Sequence, residues 1–169
     1  EGGMIATNKN KFYKKMIQLR SQGMNVSPNQ REKSMQWKYD IVDLGYNYRL
    51  DEIRSSLGLS QLNRIKKINR MRTKIASKYN KLLKHVKGIS VPVIKSNRNH
   101  IFHLYTIKIE KEFNLTRDEL FKKLYQNGIG TSVQYYPLHL MSYNKNKYNK
   151  FDFPNANKLK DQVLCLPIF

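Results

Sequence analysis

Cysteine is nearly absent from this chain: Cys165 is the only one in 169 residues. No internal disulfide can form, which favours a reducing, cytoplasmic compartment. Cys165 lies between Leu164 and Leu166 and reads as a buried, inert thiol. Long apolar runs are missing too. Nothing approaches the roughly 18 residues of a membrane span, and no signal peptide is recognisable, so no membrane partner is expected. The histidines, His85, His100, His103 and His139, are dispersed and give no metal-ligand spacing, so no metal site is expected. His103, beside Phe102 and Leu104, reads as a core histidine.

Acidic residues are scarce as well, 12 against 32 lysines and arginines, for a net charge of +20. Such a balance ordinarily points to a nucleic acid. Here the excess is mostly lysine, is spread along the chain and travels with many Asn, Ile and Tyr, as an A+T-rich coding bias would produce. No RNA-recognition, zinc-finger or Gly-X-X-Gly signature occurs, so nucleic acid is not expected as a partner.

What is present is amphipathic periodicity. Phe12, Met16, Ile17 and Leu19 predict a helix from Asn8, as its cap, to Gly23. Residues 24–38 read as a loop. A long helix is expected from Asp51 to about Val86, carrying Ile53, Leu57, Leu62, Ile65, Ile68, Ile75, Tyr79, Leu82 and Leu83 at spacings near 3.6. Gly88 then ends the helix and Val91-Pro92-Val93 is extended. A strand over 101–109, a helix from the Thr116/Glu119 capping box to Asn127, a strand over 130–135, a Lys/Asn-rich loop over 144–149 and a last helix over 153–164 complete an α/β pattern.

The segment Gly45-Tyr46-Asn47-Tyr48-Arg49-Leu50-Asp51 marks the start of the long helix. Asp51 suits an N-cap, Leu50 a hydrophobic staple, Gly45 an unusual backbone angle, and Asn47 and Arg49 an anion such as phosphate near exposed amide donors. Tyr46 and Tyr48 read as packing residues. With Glu52-Ile53 and Leu57-Gly58-Leu59-Ser60-Gln61-Leu62, this segment resembles the DegT/DnrJ/EryC1/StrS family of pyridoxal-phosphate (PLP) sugar aminotransferases. Further matches follow in order: Glu1-Gly2-Gly3-Met4 with Thr7-Asn8, Leu19-Arg20 with Gly23-Met24, Phe102-His103-Leu104-Tyr105, Gly128-Ile129-Gly130-Thr131, Tyr136-Pro137-Leu138-His139-Leu140 and Leu164-Cys165-Leu166-Pro167. They span essentially the whole chain.

The resemblance implies a fragment of a fold type I PLP-dependent transferase. Residues 1–60 would be the end of the large, cofactor-binding domain. Residues 61–169 would be a bridging helix and most of the small α/β domain, truncated at the C-terminus. It implies an amino transfer, usually from glutamate, to a keto group of a nucleotide-linked sugar, in a homodimer. It assigns Asn47 to the cofactor phosphate across the dimer interface. Arg49 either adds charge there or forms a structural ion pair at the helix start. Tyr136 and His139 fall in a loop at the active-site mouth, where His139 either touches the sugar nucleotide or is a satisfied loop histidine.

In the family, the Schiff-base lysine lies a few residues before the Glu-Gly-Gly segment, so its position falls upstream of residue 1. Lys66, Lys67, Lys74, Lys78, Lys122 and Lys123 lie on polar helix faces and do not replace it. The chain alone is therefore expected to be inactive. Two other readings stay open: a sugar dehydratase on the same scaffold, with histidine in place of that lysine, and a basic nucleic-acid-binding or scaffold module.

Overall fold

The computed structural model describes residues 2–35, 37–149 and 152–169. Glu1, at the head of the Glu-Gly-Gly segment, lies outside them. The chain divides into two units, Glu1–Arg64 and Ile65–Phe169.

In the first unit, α1 (Asn10–Arg20) follows the predicted apolar spacing. Its N-cap is Lys9 rather than Asn8, and the Thr7 hydroxyl accepts from the Lys9 N–H at 3.2 Å. Gly23, at φ +73°, closes the C-terminal end by donating its N–H to the Gln18 carbonyl at 2.9 Å. The stretch expected to be a loop contains a second helix, α2 (Pro28–Ser34). Ser27 caps it and Gln30 returns the bond, a complete capping box with Pro28 in the first turn. The neck of this excursion is laced by a Met24–Ile41 bridge and by the Asn25 N–H donating to the Asp40 carbonyl at 3.0 Å.

The long helix is α3 (Glu52–Leu83), three residues shorter than expected. Asp51 caps it, its Oδ1 accepting from the Arg54 N–H at 2.9 Å. The staple is absent, because the position it needs on the first turn is Ser55. Leu50 lies over Gly2 instead.

The second unit is built on a three-stranded antiparallel sheet with β2 (Tyr105–Ile109) in the middle. Strand β1 (Ile89–Ser90) pairs Ile89 with Ile109, and β3 (Val163–Leu166) pairs Leu166 with Tyr105 and Leu164 with Ile107. Alternation puts Tyr105, Ile107 and Ile109 on one buried face, where Ala76 of α3, Phe102, Leu164 and Ile168 join them. Ile75, Tyr79 and Leu83 of α3 pack on the same cluster, as do Leu120, Phe121 and Leu124 of α4 (Arg117–Gln126). The predicted Thr116/Glu119 capping box starts α4.

Four expectations fail here. The strand begins at Tyr105 rather than 101, because Arg72 binds the Phe102 and His103 carbonyls at 3.1 and 2.9 Å and Phe102 turns to φ +50°. That turn buries Phe102 and leaves His103 exposed, so His103 is not a core histidine. The 130–135 strand reduces to a single Ser132–Cys165 bridge. The last helix, α5 (Pro154–Leu159), ends early, and Val163–Leu166 is strand β3. Cys165 is buried there as expected, with its Sγ 3.1 Å from the Thr106 hydroxyl. Among the described residues no helix is long and apolar enough to cross a membrane.

Candidate functional site

The segment before α3 is laid against the end of α1 by backbone bonds. Tyr46 N–H donates to the Leu19 carbonyl at 2.9 Å, Gln22 N–H to Tyr46 at 3.0 Å and Tyr48 N–H to Arg20 at 2.9 Å. These bonds flank Ser21 and Asn47, a close antiparallel pair without bonds of its own. Glycine permits the approach. A Cβ on Gly45 would fall 2.1 Å from the Gly23 nitrogen, and one on Gly23 would fall 1.8 Å from the Asp43 carbonyl oxygen. Gly45 is thus needed for proximity, and the positive backbone angle belongs to Gly23.

This frame fixes Asn47 and Arg49. The Arg49 Nε donates to Asn47 Oδ1 at 3.2 Å. The carboxamide oxygen is thus engaged, and among the described residues the two N–H donors of Asn47 make no hydrogen bond. Asn47 is exposed. Among the described residues Arg49 forms no ion pair, the alternative weighed for it; at the helix start Arg54 pairs with Asp51 instead. The backbone and guanidinium donors of Arg54 lower the Asp51 pKa, so this carboxylate stays ionised beside the helix N-terminus. Tyr46 and Tyr48 are both exposed and stack on each other, ring centroids 5.3 Å apart, rather than packing into a core.

Beside Arg49 lies a cleft of about 1110 Å³ between α1 and the start of α2, lined by cationic Lys11, Lys14, Lys15 and Arg20. Lys15 is drawn to Asp43, whose pKa it lowers chiefly through that hydrogen bond. Buried Ser21 lines the cleft too, its hydroxyl without a partner among the described residues. Neither the cleft nor Ser21 emerged from the sequence reading, and the Ser27/Gln30 capping box that builds one wall is the local signal that could have pointed to the cleft. The donor set fits a phosphate: two amide N–H groups and a guanidinium, with the one acceptor among them, Asn47 Oδ1, already occupied.

Tyr136 and His139 belong to the second unit. Tyr136 is exposed. His139, in a single turn over Leu138–Leu140, is buried, with Nε2 2.9 Å from Asn157 Oδ1 and its ring 4.6 Å from that of Phe153. Its ring is thereby satisfied within the protein.

The model of the DegT/DnrJ/EryC1/StrS aminotransferase family matches residues 1–169. The chain belongs to that family. It is similar to the spore coat polysaccharide biosynthesis protein SpsC of Bacillus subtilis, 30% identical over 100% of this chain and 45% of SpsC. It is 32% identical to the UDP-4-amino-4,6-dideoxy-N-acetyl-beta-L-altrosamine transaminase of Campylobacter jejuni, over 99% of this chain and 43% of that one. Among solved structures, the PLP form of Spr1654 from Streptococcus pneumoniae superposes with a TM-score of 0.82 at 25% identity, covering 96% of this chain and 39% of that chain. The chain spans less than half the length of the relatives it matches. Aminotransferases of this family are PLP-dependent, and the α/β fold described above is part of fold type I.

Proposed function

We propose that this chain is the C-terminal part of a PLP-dependent aminotransferase acting on a nucleotide-linked sugar, and that it supplies the phosphate side of a composite cofactor site. The names of SpsC and the C. jejuni transaminase support the sugar substrate. The parent enzyme moves an amino group, with glutamate as donor, to a keto group of that sugar. When bound, PLP supplies the electron sink that lets the proton and amino group leave and rejoin carbon.

The residues of this chain bind and orient. Asn47 would reach across a homodimer interface and donate an amide N–H to the phosphate. Arg49 keeps the carboxamide oxygen turned away, so the phosphate meets donors only. Tyr136 lies at the sugar-nucleotide mouth, and His139, held by Asn157, fixes the loop that carries it. The proton-moving lysine falls outside these 169 residues, so the chain alone transfers no amino group. The observation that carries this reading is the exposed amide of Asn47, its oxygen engaged by Arg49, on the Gly23/Gly45 frame.

The test is reconstitution with the lysine-bearing half of a relative. PLP retention and transfer from glutamate are expected in the mixture and in neither half alone. Asn47→Ala should weaken PLP about tenfold, the loss of one charge-assisted hydrogen bond. A complex that holds PLP with unchanged affinity after this substitution would sink the assignment.

A further inference from the structure

Acidic residues are scarce overall, but between Glu52 and Glu110 there are none. Helix α3 runs through that stretch. Its second half carries Lys67, Arg70, Lys74, Lys78 and Lys81 at steps of three and four residues, which puts all five within an arc of about 80° and along a line of about 21 Å. All five are exposed. Among the described residues none of them forms an ion pair. The opposite face of the helix, with Ile75, Ala76, Tyr79 and Leu83, is committed to the core of the second unit. Charges dispersed along the sequence are therefore gathered in space.

We propose that this stripe docks the phosphate backbone of a nucleic-acid duplex without regard to sequence. Charge complementarity names a polyanion, and the straight, narrow row of cations fits a linear one. A bilayer is a poorer match, because interfacial helices insert an apolar face and that face of α3 is turned into the core. A second copy docked through this same stripe would set five cations against five. The stripe itself contains no aromatic residue for stacking and no Asn or Gln for reading bases, so the contacts are to phosphates alone. This binding is independent of the aminotransferase reading.

The chain as it stands is titrated into a fluorescent duplex of arbitrary sequence over a range of salt. Five phosphate contacts predict a log–log salt slope of about −4 to −5. Replacing all five with Gln, which preserves helix propensity, should bring the slope near zero. A charge-matched variant with Gln at exposed Lys33, Lys38, Lys95, Lys111 and Lys122 should keep the wild-type slope to within about one unit. Lysine acetylation of the unmodified protein gives a second readout that needs no variant: Lys67, Lys74, Lys78 and Lys81 should be protected by duplex and the five control lysines should not. Equal losses in the two variants, uniform protection, no duplex binding, or binding to anionic vesicles alone would each overturn the proposal.

Discussion

Two glycines that look alike in the sequence have opposite requirements. Gly45 sits where a methyl group would strike the Gly23 and Gln22 backbone, whereas a methyl on Gly58, inside α3, would meet nothing within 4 Å. Gly45→Ala is expected to destabilise the protein by ~3 kcal/mol, since backbone must shift, an overpacking cost that exceeds the entropic gain of removing a glycine. Gly58→Ala should stabilise by up to about 1 kcal/mol through helix propensity. Paired urea titrations read both signs at once. Tyr105 is the second telling residue. It is fully buried, its hydroxyl donates to Asn80 Oδ1 at 2.6 Å, and burial, with Tyr79 nearby, pushes its pKa up to about 12. A phenol held protonated by folding contributes stability below the unfolded value of about 10, and that contribution is lost as pH rises toward 12. Unfolding monitored from pH 9 to 12 should show this decline, and Tyr105→Phe should flatten it.

At the level of elements, legibility followed the range of the interactions. Helix α3 and the Thr116 cap were readable because their determinants lie within a turn or two. Asn47 and Arg49 were readable as donors beside a helix start, but not their mutual bond, which depends on how the segment lies against α1. Helix α2 was equally local and was overlooked, because attention to its turn-forming residues hid the Ser27/Gln30 box. Strand β3 could not be found that way. Its apolar residues continue the spacing of α5, and only pairing with β2, some sixty residues earlier, makes Leu164 and Leu166 extended. The same distance effect misplaced His103, whose exposure is set by Arg72 on α3.

For the molecule as a whole, the two units differ sharply in how they are held. The buried apolar cluster belongs entirely to Ile65–Phe169, while Met24 is the only buried hydrophobic side chain among the described residues of the first unit. Ile53, Leu57 and Leu62 of α3 stay exposed there, consistent with a chain that spans under half of its relatives' length. Hydrogen exchange should therefore be slowest at Ile107, Ile109 and Leu164 and faster by about two orders of magnitude or more around residues 2–50. Adding the lysine-bearing half of a relative should slow the latter set. Equal protection in both units of the isolated chain would contradict this account.

The Gly23/Gly45 crossing has a bearing on how such a chain can diversify. It closes residues 24–44 into a clasped excursion, and the cost of closing a flexible loop rises by only about 0.6 kcal/mol for each doubling of its length. The contents of the clasp, α2 included, can thus be lengthened, shortened or exchanged between relatives while Asn47 keeps its position. Two adjacent glycine backbones make the neighbouring cleft wall an interchangeable cassette.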